Sequence, residues 1–479
     1  MSSVAGPSIR AEDRVPFPQM VLYGVGAFVN NLLAGAIGGM MIVLNLGLGM
    51  NPALVGSLAA IPRLFDAMTD PIMGYISDNT RSRWGRRRPY IFIGAILVGL
   101  VFMGMWQLPA GRTEDYYFTF FLIGSLLFYT GYTIYATPWV ALGYELTSDY
   151  HERTRLMGTQ NFIGQLAYFI PPWLLVIMQS QTYFTDMVDG AKGVAIVIGA
   201  IVIALGILPA IFLREKPHPG MSGAAQEPLR LGALFTGFFR DFLTSIRFLP
   251  FLQICVATFL VFNGFILIAS FQTYVLIYYV SGGDQVAGAK LAGYTGTVAT
   301  ISTFAVIAFV TWLGTKIGKQ RAFLVSTGIS AVGYGLKWFC YNPELPWLVM
   351  LPAPLLAFGL GGLFTIMPAM MADIVDQDEL KTGQRREGMY GAIFWWVVKL
   401  GMAAALAGSG FLLNATGFDV ALGGGQSERT IFLLRLFDTV IPAVASLVAM
   451  AVIGFSGLTE ARSRLIREQL DARRLSPAT

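Results

Sequence analysis

The sequence predicts an all-α polytopic membrane protein with twelve transmembrane helices in two six-helix bundles. Three observations predict it: an apolar composition, apolar runs recurring at bilayer length, and Lys and Arg confined to alternate connections. Hydrophobic residues make up 55% of the 479-residue chain and charged residues 13%, and mean hydropathy is +0.61. A water-facing domain averages roughly 25% charged residues, so this chain cannot clothe a soluble surface of its size. The formal net charge of +5 would suit nucleic acid, but the basic residues sit in short loops between apolar runs, so no nucleic-acid partner is expected.

Runs of about 20 apolar residues recur about twelve times. They lie near 19–48, 52–77, 90–108, 116–142, 157–180, 191–213, 248–280, 288–313, 321–341, 347–373, 387–415 and 430–458. They do not alternate, and their Gly, Ala, Leu and Met content suits packed helices rather than strands. Met1 to Pro18 has no apolar stretch behind a charged head, so no cleavable signal is expected and the first span serves as the insertion signal. With the N-terminus inside, roughly 25 of the 33 basic residues fall in inner segments. These include "RSRWGRRRP" (Arg81 to Pro89), "YHERTR" (Tyr150 to Arg155), "TKIGKQR" (Thr315 to Arg321) and "LKTGQRR" (Leu380 to Arg386). Both termini are therefore placed in the cytoplasm, with the protein in the cell (inner) membrane. Cys255 and Cys340 lie inside apolar runs and read as small buried hydrophobes.

The longest polar stretch divides six spans from six. The expected organisation is an N-terminal bundle over 1–213, a cytoplasmic linker with an amphipathic helix over 214–247, a C-terminal bundle over 248–458 and a cytoplasmic tail over 459–479. The halves echo each other: Gly85-Arg86-Arg87-Arg88 follows span two, and Gly318-Lys319-Gln320-Arg321 follows span eight.

Few charges remain at membrane depth. Lys337 reads as a snorkelling side chain, and Arg435 with Asp438 as an i, i+3 pair near the outer face. "PRLFDAMTDPIMGYISD" (Pro62 to Asp78) is different, because Arg63, Asp66 and Asp70 share one helix face. Counting back from Asp78 puts Asp66 ~18 Å deep at 1.5 Å per residue, and Lys399 lies at a similar depth in span eleven. An ionised group there costs ~3 kcal/mol or more without a partner or a polar cavity. The face carrying these residues is therefore expected to line a central cleft. Two carboxylates, the Thr69 hydroxyl and the Ala67 carbonyl freed by Pro71 offer hard oxygen ligands for Na⁺, or a carboxyl pair that takes up H⁺. The alternative is a static knot in which Arg63 holds both aspartates.

Other polar and aromatic residues that could line the cleft are Asn30, Asn31, Thr133, Tyr135, Thr137, Trp139, Asn161, Gln165, Asn263, Gln272, Tyr390, Trp395 and Trp396. Helix packing is the competing explanation for each. As a group they suit a hydroxyl-rich, uncharged solute. Asp78 and the arginines behind it, Arg86 among them, read as an inner gate that salt-bridges or caps a neighbouring helix. His151 and His218 fall in loops, and "GTKIGKQR" lacks the spacing of a nucleotide-binding loop. No catalytic constellation is present, so no enzyme activity is expected. No cofactor is expected beyond a coupling ion.

"DAMTDPIMGYISDNTRSRWGRRRP", with "YGVGAF", "YTIYATPW", "ERT" and "VVK" in order along the chain, resembles the glycoside–pentoside–hexuronide:cation symporters of melibiose-permease type. The resemblance implies the major facilitator fold and cation:sugar symport by alternating access. It puts Asp66 and Asp70 on the cation-binding carboxylates, Thr69 and Thr133 on auxiliary polar ligands, and Lys399 on the lysine facing the site from the second half. Where the family's sugar clamps have charged residues, this chain has Asn31, Ala136 and Asn161, which argues against an α-galactoside. The expected partners are a small-molecule solute of glycoside type, a monovalent cation and the lipid bilayer, with a monomeric functional unit. A lysolipid or amphiphile carrier of the same fold is the alternative.

Overall fold

A computed structural model describes residues 14–80, 82–147, 150–215, 242–383 and 386–475 of the chain. Arg81, His218, Gln384, Arg385 and the amphipathic part of the expected linker (216–241) lie outside the described residues. The described part is helical, without strands: α1 (Phe17–Met40), α2 (Ile42–Leu46), α3 (Pro52–Asn79), α4 (Arg88–Met105), α5 (Glu114–Glu145), α6 (Tyr150–Leu166), α7 (Pro171–Met178) and α8 (Met187–Phe212). There follow α9 (Leu249–Val275), α10 (Gln285–Ile317), α11 (Lys319–Cys340), α12 (Ala353–Thr382), α13 (Glu387–Ala415), α14 (Glu428–Gly454) and α15 (Glu460–Leu475). The first span is α1 with α2. The fifth is α6 and α7, interrupted by the turn Ala167–Phe169 before Pro171.

Among the described residues, ten helical segments are long and apolar enough to cross a membrane. The remaining two spans are α3, which carries Arg63, Asp66, Asp70 and Asp78, and α11, which carries Lys319, Arg321 and Lys337. Large apolar side chains stay exposed, for example Phe339 at 75% and Phe455 at 87%. On a soluble protein such a belt would be an aggregation surface, but lipid covers it.

Helix starts follow the solvent. On the face with few basic residues, Thr113, Asp186, Asp284 and Ser427 each accept from a backbone N–H of the first turn of α5, α8, α10 and α14. These caps satisfy donors that lipid could not. On the arginine-rich face, α1, α4 and α9 begin with proline in the first turn, where its missing N–H costs nothing.

The chain divides into two compact units, one of Met1–Met50 with Ile61–Glu227 and one of Asn51–Ala60 with Pro228–Thr479. The first packs α1 on α6, α4 on α5, α4 on α8 and α1 on α8. The second packs α9 on α13, α11 on α12, α11 on α14 and α9 on α14. Counted by span, these are the same four pairings displaced by six, so the repeat legible in the basic loops extends to the packing. Cys255 and Cys340 are buried free thiols.

One expectation is overturned in the second unit. Lys337 does not snorkel: its Nζ lies 2.8 Å from Asp438 Oδ2, and both side chains are almost fully buried. Tyr341 donates its hydroxyl to the same carboxylate oxygen. Arg435 does not pair with Asp438; its guanidinium lies between the rings of Tyr279, at 4.1 Å, and Trp338, at 4.4 Å. Burial explains the exchange, because Lys337 on α11 reaches Asp438 across the α11–α14 seam, whereas an aromatic slot already holds Arg435. Asp438→Asn is expected to cost about 3–5 kcal/mol by stranding Lys337. Its melting temperature in detergent should fall, and the double change Lys337→Met with Asp438→Leu should recover most of the loss.

Candidate functional site

Spacings of three and four place Arg63, Asp66 and Asp70 on one face of α3. Opposite them, α5 presents Thr133 and Thr137, themselves four apart. Thr133 Oγ1 lies 3.0 Å from Asp66 Oδ1 and 3.0 Å from Asp70 Oδ1. Thr137 Oγ1 lies 3.2 Å from the same Asp70 oxygen, and Thr69 Oγ1 lies 3.2 Å from Thr133 Oγ1 and from the Asp66 carbonyl. Asp66 is fully buried, Arg63 is 9% exposed and Asp70 is half-buried.

This arrangement concentrates negative charge. The two carboxylate oxygens are no more than about 6 Å apart, since both lie 3.0 Å from one hydroxyl. At an effective dielectric near 20, two unit charges at that distance repel by about 3 kcal/mol. A single hydroxyl proton cannot serve both acids at once. Arg63 offsets one of them, its Nη1 lying 3.6 Å from Asp66 Oδ2. The cluster thus carries a formal charge of −1 when all three groups are ionised. Pro71 follows within the helix and leaves the Ala67 carbonyl without a helical donor. Together these are the hard oxygens a small monovalent cation requires, and the same pair of acids can hold a proton.

Thr137, expected only among the residues that could line the cleft, joins this set. Its signal was present, because a hydroxyl four residues beyond Thr133 must share that face of α5. The same periodicity bears on two residues expected at the solute site. Tyr135 and Trp139 lie about 200° around the helix from Thr133 and Thr137, and the structure buries both. Tyr135 donates to the Gly26 carbonyl at 3.3 Å, and Trp139 donates to the Tyr23 carbonyl at 3.3 Å while stacking on the Tyr23 ring. They seal α5 against α1 and do not reach the aspartates.

The other expected residues of the first unit are more open. Asn31 donates to the Gly164 carbonyl at 3.0 Å, Gln165 is half-buried and Asn161 is exposed on α6. In the second unit, Lys399 is half-buried on α13, and Gln272 is half-buried on α9. Trp395 is 51% exposed and lies parallel to Phe364, while Trp396 meets Phe242 edge-on at 5.1 Å. Tyr390 is buried in the apolar core against Phe251, beneath the Arg386 guanidinium. Asn263 is 5% exposed, faces Gly401, and has no hydrogen-bond partner among the described residues for either amide atom.

The arginines behind Asp78 pair as follows. Asp78 and Arg86 sit in one cluster, but Asp78 binds Arg87 Nη2 at 2.6 Å. Arg86 pairs with Glu145, which also lies 3.0 Å from Arg87. Glu215 accepts from the backbone N–H groups of Arg86, at 3.1 Å, and Arg87, at 3.3 Å. It caps α4, where a carboxylate meets the positive end of the helix dipole. Gly85 makes room for it: φ is +99°, and a Cβ there would lie 2.0 Å from Glu215 Oε2. The second unit repeats the device, with Gly318 at φ +84° against Glu460, Lys319 bound to Asp373 at 2.6 Å and Arg386 to Asp378 at 2.6 Å. Glu145 and Glu215 were missed because their pairing joins the ends of spans far apart in sequence.

A family model described as MFS/sugar transport protein matches residues 22–460. An uncharacterized symporter of Synechocystis sp. is 27% identical, over 97% of this chain and 98% of its own length. The glucuronide carrier protein homolog of Escherichia coli is 24% identical, over 95% of each chain. Among solved structures, an inward-facing, unoccupied bacterial homologue of the human lysosomal transporter Spinster superposes with a TM-score of 0.66 at 16% identity, over 96% of this chain and 98% of that one. Tyr135→Phe is expected to cost about 0.5–1.5 kcal/mol of stability through its lost hydrogen bond. The solute KM in transport assays should stay unchanged, and a raised KM would return Tyr135 to the solute surface.

Proposed function

The chain belongs to the MFS/sugar transport family of major facilitator membrane transporters, of the glycoside–pentoside–hexuronide type, and from that premise we propose that Asp66 and Asp70 bind the coupling ion of a cation:sugar symporter. The observation that carries this is the pair of aspartates held 3.0 Å from one threonine hydroxyl within a membrane-spanning helix. The protein is a membrane transporter and not an enzyme. Related proteins named as symporters and as a glucuronide carrier support a small sugar or glycoside as the cargo.

In this reading Asp66 and Asp70 supply the charge, and Thr69, Thr133 and Thr137 supply hydroxyl oxygens. A monovalent cation brings the cluster from −1 to neutral, whereas a divalent one would overshoot to +1. The site therefore selects for single charge as well as for hard ligands. Either Na⁺ or H⁺ satisfies that count. Neutralisation removes the repulsion between the acids and the cost of an unpaired charge in a water-poor helix face. The ion-loaded carrier then differs from the empty one by several kcal/mol in how readily it closes, which is the coupling that symport by alternating access needs. Lys399 and the exposed Trp395 remain solute-side candidates. The basic loops support placement in the inner cell membrane with both termini in the cytoplasm; two six-helix bundles at 1–213 and 248–458 and one chain as the functional unit belong to the same reading.

Asp66→Asn is expected to abolish uptake driven by an imposed ion gradient in proteoliposomes while the purified protein keeps its helical content and melting behaviour. Wild-type uptake of a glycoside panel, under Na⁺ and H⁺ gradients applied separately, identifies the ion. Normal gradient-driven uptake by a folded Asp66→Asn protein would remove the proposal.

A further inference from the structure

On the face of the second unit with few basic residues, one cation stands without a counter-charge. Arg435 lies two turns into α14, about 10 Å below Glu428 at 1.5 Å per residue. Among the described residues it forms no ion pair. Asp438, one turn further on, is already taken: Lys337 Nζ lies 2.8 Å from its Oδ2, and Tyr341 donates to the same oxygen. Lys337, Arg435 and Asp438 therefore sum to +1 when all three are ionised. The Arg435 guanidinium is held by its faces instead. Its Cζ lies 4.4 Å from the Trp338 ring centre and 4.1 Å from that of Tyr279, which belongs to a π-helical turn, Leu276–Val280, at the end of the seventh span. Of its five N–H donors, one on Nη2 goes to the Trp338 carbonyl at 3.3 Å, and Nε is sealed without a partner. Nη1 has no partner among the described residues either, but it is not sealed. Two rings thus fix the plane of the fork and leave its Nη1 donors and second Nη2 donor unspent.

The depth of this fork is that of a membrane–water boundary. Trp338 lies two residues before the end of α11, and Trp347, largely exposed, follows in the short turn Pro346–Met350. Tryptophan gathers at that boundary. Phe432, one turn before Arg435, is 49% exposed and meets Trp338 edge-on at 5.8 Å, and Phe339 is exposed beside it. A charged fork bordered by open apolar rings suits a ligand with an anionic head and hydrocarbon chains.

We infer that Arg435 binds the phosphodiester of an anionic phospholipid in the leaflet on this side of the membrane, with the acyl chains lying against Phe432 and Phe339. A phosphate accepts two parallel N–H bonds from a planar guanidinium. A lipid of net charge −1, such as phosphatidylglycerol, brings the cluster from +1 to neutral, whereas a zwitterionic lipid leaves the sum unchanged. That count favours an anionic headgroup. A phosphate ion from solution would meet the fork but leave the open rings uncovered, which favours a lipid. The site is separate from the aspartates of α3, and neither depends on the other.

The test is local to the site. The full-length protein, with Phe432 replaced by p-benzoylphenylalanine, is reconstituted in equimolar phosphatidylglycerol and phosphatidylcholine and irradiated. Mass spectrometry then identifies the lipid attached at position 432. With Arg435 present, phosphatidylglycerol is expected to exceed phosphatidylcholine about fivefold, the effect of one basic residue near a headgroup. In Arg435→Gln the adducts should return to the bulk ratio, and Arg435→Lys, which keeps the charge and loses the fork, should fall between. Adducts at the bulk ratio with Arg435 present overturn the inference, as does an enrichment that survives in Arg435→Gln. Enrichment abolished by excess inorganic phosphate overturns it too, because the site would then hold a soluble anion. Because the protein with Arg435 intact can overturn the inference alone, a misfolded Arg435→Gln protein does not shelter it.

Discussion

An ionised side chain surrounded by hydrocarbon must find a counter-charge, a hydrogen-bond donor or water. That constraint organises this protein. The α3 helix puts two acids and one base on a single face, and the fold answers with two threonines from α5 rather than with a second basic residue. Hydroxyls stabilise the carboxylates without cancelling their charge, so the cluster stays one positive charge short. A lysine at Thr133 would have produced a quiet ion pair of the kind found at Lys337–Asp438. The two clusters differ in charge: with all groups ionised the first is left at −1, whereas Lys337 and Asp438 balance each other.

The arginine-rich ends of the two units obey the same constraint in a wetter setting. There the partners are abundant, and the structure uses them redundantly: Glu145 serves two arginines, and Glu215 serves two backbone donors at the start of α4. Such networks lie near water, and each pair contributes modestly to stability. Their arrangement is nonetheless specific, because the positive φ of Gly85 and Gly318 admits a carboxylate where a side chain would collide. The recurrence of glycine, base and distant acid in both units, together with four matching helix pairings, shows a repeat kept in geometry after most of its sequence identity has gone.

Hydroxyls and amides are cheaper to bury than charges, and the chain scatters them through its packing. Asn31 ties α1 to the Gly164 carbonyl, and Tyr135 and Trp139 close α5 onto α1. These contacts explain why polar and aromatic residues in a span are poor guides to a solute. In lipid-facing bundles, small residues and polar side chains are also what hold helices together. Asn263 and Gln179 are among the exceptions, their amides being buried without a hydrogen-bond partner among the described residues.

The sequence by itself determined the elements that depend on local or additive physics. Twelve spans follow from run length and hydropathy, and the shared face of Arg63, Asp66 and Asp70 follows from helical periodicity. Tertiary structure decided the partners. That Thr137 completes the aspartate site, that Asp78 belongs to Arg87, that Lys337 belongs to Asp438 and that Tyr390 sits in a core all depend on which helix faces which. A one-dimensional pattern gives a side chain's angle about its own axis, whereas a pairing requires the angle and depth of a second helix, and these are set by packing across many residues at once.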